Sequence, residues 1–216
     1  EKIQTITIPK GITSISSHLF YGCYALKSVK ILGPFTSIGE YAFAYTNLRS
    51  FDIPNTVTTI GDSAFRSCNF PSINIPDSVI SIGVNAFDSS DLESLIFPPK
   101  ITVVSNGVCA LCYYLKSVQI PVGVKTIGMQ SFRYSKILTT VNIPETVTEI
   151  KSYAFESCTM LRNLVIPESV IQISEYAFSK CEAFTNITIP SKVTKISVGL
   201  FSGCTNLRSV QIPENA

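Results

Sequence analysis

The chain has 216 residues, 45% of them apolar and only 15% charged, with a formal net charge of +2 and seven cysteines. The apolar share rules out wholesale disorder, and the small net charge gives no global electrostatic case for nucleic acid or an anionic membrane. No apolar run approaches the ~18 residues of a membrane span, and polarity comes instead from 27 Ser and 19 Thr, which suit exposed strands better than exposed helices. The chain opens at Glu1 without a basic or apolar leader, so any targeting signal is expected to lie outside it.

One repeat runs from end to end. An apolar residue followed by Pro recurs at Ile8, Ile53, Ile75, Phe97, Ile120, Ile143, Ile166, Ile189 and Ile212, and Ile31 (followed by Leu32) fills the single gap. All spacings are 22 or 23 residues. An aromatic series runs in phase, 12 residues further on in each unit: Phe20, Phe43, Phe65, Phe87, Phe132, Phe155, Phe178 and Phe201, with Cys109 standing in once. The length variation falls after this position, which marks the return as the tolerant loop.

Within the unit that starts at Leu48, Phe51 and Ile53 alternate with Ser50 and Asp52, the period of a strand with one buried face. Pro54 removes a ladder donor and ends that strand. Val57 and Ile60 then turn a second short extended segment inward. Ile60, Ala64 and Cys68 lie four apart, a spacing that predicts one helical turn held by packing. A unit this small cannot bury its own apolar face. Stacking in register solves the problem, with like residues forming an Ile ladder, a Phe spine and an Ala/Cys column. At ~4.8 Å per parallel strand, ten strand positions span roughly 43 Å. The expected organisation is a single domain over 1–216 of about nine coils, with core-type strands at both ends and no caps.

The unit Leu-x-x-Val-x-Ile-Pro-x-x-Val-Thr-x-Ile-Gly-x-x-Ala-Phe-x-x-Cys resembles the BspA-like, or treponemal-type, leucine-rich repeat, and residues 48–68 and 138–158 follow it almost completely. Leu32-Gly33 in place of Pro and Val108-Cys109 in place of Ala-Phe are local departures. The resemblance implies a leucine-rich repeat solenoid: a right-handed, mainly β superhelix with a parallel concave sheet and short helical turns on the convex side. It also implies a non-catalytic adhesion module, at a cell surface or secreted, that binds host or neighbouring-cell macromolecules.

The residue inventory points the same way on catalysis. His18 is the one histidine, with no acid or nucleophile at a recognisable spacing, so a solvated polar role is expected and no enzyme. Cys109-x-x-Cys112 has a metal or redox spacing, yet Cys109 fills a spine position and Cys112 belongs to the column of Cys23, Cys68, Cys158, Cys181 and Cys204. Buried packing is expected, with no metal, no cofactor and no disulfide, because stacked Cys would present parallel Cα–Cβ vectors. Gly39, Gly61 and Gly83 are isolated turn residues and form no phosphate loop. Asn186-Ile187-Thr188 is the one N-glycosylation sequon and falls on a predicted strand.

Charge placement carries the most information about binding. Outward strand positions hold Lys27, Lys30, Arg49, Lys116, Arg162 and Arg208 against Asp52 and Glu93, while Glu145, Glu149, Glu156, Glu168, Glu175 and Glu182 gather on turns and loops. Such a basic stripe on the concave face would accept an acidic protein segment or an anionic glycan; the alternative is that these cations only keep an open sheet soluble. The face lacks the aromatic interleaving that single-stranded nucleic acid needs. A second function stands beside the first: head-to-tail self-association into filaments or layers through the uncapped ends.

Overall fold

The computed structural model describes residues 2–214. Fourteen short strands run through them: β1 (Thr5–Ile8), β2 (Ser28–Ile31), β3 (Ser37–Ile38), β4 (Thr59–Ile60), β5 (Ser81–Ile82), β6 (Ser94–Ile96), β7 (Val103–Val104), β8 (Ser117–Gln119), β9 (Thr126–Ile127), β10 (Thr140–Asn142), β11 (Glu149–Ile150), β12 (Gln172–Ile173), β13 (Asn186–Thr188) and β14 (Ser209–Gln211). Every pairing is parallel and joins equivalent positions of successive coils, as in Ile150 beside Ile127 and Ile173. The chain is therefore a parallel β-solenoid of about nine turns, and the repeat period is its register.

Two lines of strands run along the stack. The first carries the Leu-x-x-Val-x-Ile segment and the second carries the short pair after Pro. Inward residues of both lines are buried: Leu48, Val57 and Ile60 are 0–1% exposed, as are their equivalents Leu138, Val147 and Ile150. The Phe spine stacks ring on ring, with Phe43–Phe65 at 5.6 Å, Phe65–Phe87 at 5.8 Å and Phe155–Phe178 at 5.6 Å, interplanar angles of 10° or less. Each buried ring contributes roughly 2–3 kcal/mol of transfer free energy.

The expected sheet is not continuous. The first line falls into β1–β2, β6–β8–β10 and β13–β14, and no strand forms at 51–53, 73–75 or 164–166. Two residues mark breaks in this line. Pro71 occupies the position at which Lys27, Arg49 and Glu93 donate their N–H to the preceding coil, and it has no proton to give. Asn163 has φ 51°, which turns the backbone out of the extended region just where a strand beside β10 would start.

The expected helical turn is absent as well. Ile60, Ala64 and Cys68 are all buried, but Ser63 and Ser67 have φ 52° and 56°, and the same two positions are left-handed in every coil, from His18/Gly22 to Gly199/Gly203. A left-handed residue every fourth position leaves right-handed runs of three residues, too short for one α-helical turn. Alternate N–H groups close tight turns (Arg66 to Ser63, 3.1 Å), while those between them reach the next coil: Ser63 to Val84, Phe65 to Ala86 and Ser67 to Asp88, at 2.8–2.9 Å. A helix would satisfy all of these donors within one coil. The turn pair gives half of them to the neighbour, and that binding offsets the ~1–2 kcal/mol cost of each left-handed non-glycine residue.

The thiol column has its own chemistry. Cys68, Cys112, Cys158, Cys181 and Cys204 each donate Sγ–H to a spine carbonyl of the preceding coil (Phe43, Phe87, Phe132, Phe155 and Phe178) at 3.1–3.2 Å. Ser135 does the same to Cys109 at 3.1 Å. All seven cysteines are free, and all but Cys23 are buried. The Phe-to-Cys exchange at 109 is accompanied in its own coil by Phe97 for Ile and Val108 for Ala, which restores apolar volume. Burial pushes the Cys68 thiol up from 9.0 to about 12.

Phe155→Ala should cost about 3–5 kcal/mol in urea denaturation, since a ring stacked on both sides leaves a cavity that rigid coils cannot close. Reductant should leave the melting temperature unchanged, and a thiol-reactive dye should label Cys158 and Cys181 only on unfolding. Between about pH 9 and 12 the unfolded chain loses the Cys68 proton while the folded chain keeps it. The unfolded state then binds fewer protons, so stability falls as pH rises through that window. A urea midpoint lower at pH 10 than at pH 8, with the drop reduced in Cys68→Ser, is the expected result.

Candidate functional site

Three outward columns make up the face of the first strand line. The middle column is Ser at six of its ten positions (Ser28, Ser50, Ser72, Ser94, Ser117 and Ser209), with Thr5, Thr140, Asn163 and Asn186 at the others. Strand alternation places these side chains outward, and all are exposed except the half-buried Ser117. They link along the stack where strands pair: Thr5 to Ser28 at 3.0 Å, and Ser209 to Asn186 Oδ1 at 2.6 Å. Thr188 donates to Gln211 Oε1 at 2.9 Å in the next column. The middle column is a ladder of uncharged hydrogen-bonding groups.

A groove of about 870 Å³ lies on its central part, lined by the outward side chains of Ser72, Asn74, Ser94, Ile96, Gln119 and Asn142 among others. Neither Lys nor Arg lines it, and Asp77 is the one charged lining residue. Ile96, 60% exposed, gives the floor an apolar point. Asn186 of the sequon is exposed on β13, its side chain joined to Ser209 and Thr185.

The six predicted basic residues do not form one patch. Lys27, Arg49, Lys116, Arg162 and Arg208 share the column at one margin of the face, and Lys30 lies at the other margin. Within the shared column Pro71, Glu93, Thr139 and Thr185 intervene. Lys116 Nζ is paired with Glu93 Oε2 at 2.7 Å, both more than half exposed, and Lys27 donates to Gln4 Oε1 at 3.2 Å. Lys27, Lys30 and Arg49, in two adjacent coils, are the densest cluster; at one coil spacing or more, exposed charges of this kind are heavily screened.

The turn face holds charge of a different kind. Arg66 and Asp88 occupy one repeat position in successive coils and meet at 3.0 Å, with Asp88 buried. The Nε is poorly directed for a hydrogen bond, so the contact is chiefly electrostatic. Burial raises the Asp88 carboxyl above its ordinary range, while Arg66 and the Ser89 hydroxyl pull it back. Arg133 and Glu156 repeat the arrangement three coils on, and Glu156, one of the acidic residues expected on turns and loops, is buried against Arg133. Arg66 lies over Tyr45, and Arg133 over both Tyr134 and Tyr153. His18 stacks on Tyr41 at 5.0 Å. Sequence reasoning passed over these pairs, although aligning the repeats puts each Arg and its acid in one column.

Among the described residues, no three His, Cys, Asp or Glu side chains converge to hold a metal ion, and no helix is long and apolar enough to cross a membrane. Stacked 22–23-residue coils with in-register Ile, Phe and Cys columns define a leucine-rich repeat solenoid. The chain belongs to the BspA type leucine rich repeat region family, whose model matches residues 1–108, 36–158 and 125–216. No curated protein sequence matches the chain significantly. Among solved structures, a leucine-rich cell surface protein from Faecalibacterium prausnitzii is 28% identical over 97% of this chain and 59% of its own, with a TM-score of 0.60. The T. pallidum leucine-rich repeat protein is 26% identical over 74% of this chain and 79% of its own, with a TM-score of 0.66. A leucine-rich repeat protein from Bacteroides ovatus, at 23% identity over 99% of this chain and 74% of its own, shares the fold with a TM-score of 0.67.

Because the raised Asp88 pKa makes the folded state bind a proton more tightly than the unfolded state, this group's contribution to stability falls as pH rises from the ordinary carboxylate range. Asp88→Asn should remove that pH dependence, and a melting series from pH 4 to 7 on the two proteins measures it.

Proposed function

We propose that this chain is a non-catalytic protein-interaction module, displayed at a cell surface or secreted, whose partner lies across the first strand line with the central groove as its anchor. The observation that carries this is the groove itself. It is a long depression whose lining offers hydroxyls and amides on a coil-spaced grid, with one apolar point at Ile96. A partner protein laid across it meets donors and acceptors at every step of about 4.8 Å. The cations Lys27, Lys30, Arg49, Arg162 and Arg208 flank this floor and act on approach, steering a partner that carries acidic residues outside the anchored segment. Lys116 contributes less, since Glu93 neutralises it.

Family membership and a cell surface protein among the structural relatives support the class and the location. The absence of an acid–base or nucleophilic constellation in the inventory supports a binding role over a reaction. Adhesion to host or neighbouring-cell protein is the form of binding that a surface-displayed module of this kind serves.

The experiment is capture of extracellular-matrix protein by the immobilised chain, comparing two variants. Ser94→Arg with Ser117→Arg fills the groove from outward strand positions and should reduce affinity on the order of tenfold or more. Lys27→Glu with Arg49→Glu and Arg162→Glu should slow association at low salt and leave dissociation nearly unchanged. Undiminished capture by both variants would remove the strand face from the model.

A further inference from the structure

At most coil boundaries the second strand line is tied by two backbone hydrogen bonds. The residue before each short strand donates to its equivalent one coil back, as Ile80 does to Thr58 (2.9 Å) and Lys125 to Thr102 (2.9 Å). The residue after it donates to the preceding Ile or Val, as Gly83 does to Ile60 and Gly128 to Val104, both at 2.8 Å. The boundary between coils 70–91 and 92–114 has neither bond. The N–H groups of Thr102 and Ser105 make no such contact, and the Ser105 hydroxyl takes the Ile82 carbonyl in their place. The first strand line is also unpaired here, as at the two preceding boundaries, since β6 pairs with β8 alone; in the second line β5 pairs with β4 alone. The aromatic spine stops there too: Phe87 stacks on Phe65, but the next spine position is Cys109.

Three independent ties are therefore missing at one boundary, and what remains is concentrated on the opposite side of the coil. Asn85, Phe87 and Ser89 donate across it to Asn106, Val108 and Ala110 at 2.8–2.9 Å, and the Cys112 thiol holds the Phe87 carbonyl at 3.1 Å. On the strand side, Glu93 N–H to the Pro71 carbonyl at 2.9 Å is the remaining backbone tie among the described residues. The arrangement is that of a book held by its spine. The boundary between coils 161–183 and 184–206 also lacks both strand ladders, with Ser197 donating to the Ile173 carbonyl as Ser105 does to Ile82, but there Phe178 still stacks on Phe201 and Glu168 grips Ser191.

We propose that the boundary between Asp91 and Leu92 is a hinge whose axis lies along the turn face, and that bending at it widens and narrows the strand-face groove. The groove straddles this boundary, with Ser72, Asn74 and Asp77 on one side and Ser94, Ile96, Ser117, Gln119 and Thr140 on the other. Its width thus depends on a boundary at which neither strand line is laddered and the aromatic spine is interrupted. The regulatory meaning of the hinge rests on the strand face being the binding face; the hinge itself does not. A partner that bridges both sides selects one opening angle, and ordering this joint is the free-energy cost that its contacts must exceed.

Two measurements on the full chain, neither involving a partner, test this, so they stand apart from the capture experiment. In amide hydrogen exchange, Thr102 and Ser105 should exchange on the order of tenfold or more faster than Lys125 and Gly128, their equivalents one coil on, while the Phe87 amide stays as protected as that of Phe65. Equal protection of both sets would overturn the hinge. Fast exchange of Phe87 as well would also overturn it, since the boundary would then be melting as a whole. The second measurement is the distance distribution between spin labels on Lys30→Cys and Val165→Cys in a Cys23→Ser background. It should be broad, and Ser105→Gly should narrow it, because removing the hydroxyl frees the Ile82 carbonyl for the backbone N–H. An unchanged width in Ser105→Gly, or a narrow distribution without it, overturns the proposal.

Discussion

A coil of 22 or 23 residues has one apolar face and nothing of its own to cover it, and that deficit organises the whole molecule. Each coil buries its Leu, Val, Ile and Phe only by lying on a neighbour that presents the same residues at the same height. Register follows from this, because a slip of one residue would carry Ile60 out of line with Ile38 and Ile82, which it joins in the ladder. Backbone hydrogen bonding obeys the same rule. Donors at the strands reach back one coil, as Gly61 does to Ile38, and donors at the turns reach forward, as Phe65 does to Ala86, so every interior coil is held from both sides.

The two faces divide the work. On the turn face the forward bonds recur at every boundary from His18 to Lys180, backed by buried thiols and by the Arg66–Asp88 and Arg133–Glu156 pairs. Those ion pairs are covered by tyrosines and packed against the coil, where a carboxylate without its cation would be costly. On the strand face the ladders are short and interrupted, and Ser, Thr, Asn and Gln point outward in their place. Stability is thus concentrated on one side, which leaves the other free to carry adaptable, uncharged recognition groups. A binding surface of this type needs that separation, because contacts that vary for a partner must not be the ones that set coil spacing.

Much of the architecture was legible because periodicity reports on neighbours as well as on the residue itself. The Ile ladder, the Phe spine and the free Cys column all stand where the repeat put them, and even the outlier Cys109 proved buried, with Phe97 and Val108 supplying the missing volume in the same coil. The helical turn was misjudged for a physical reason. Ile60, Ala64 and Cys68 fall on one face both in a helix and in a pair of turns with left-handed residues at 63 and 67, and spacing alone cannot separate the two. The sequence places Glu156 on a turn, but its burial against a partner one coil back is visible only once the coils are stacked. The groove was hidden for a similar cause: it lies over a boundary where ladders stop, and Ser105 gives no sign of that when read alone.

By itself the sequence determined the coil length, the parallel register, the identity of the buried columns and the family, since each is a property of residues that repeat. Only the tertiary structure decided how the turns use their hydrogen bonds, which charges are buried in pairs, and where the strand face opens into a groove over an unladdered boundary. The physical reason is that the first set is fixed by what one coil must bury. The second is fixed by which of two competing partners, within the coil or in the next one, each polar group finds once the coils are stacked.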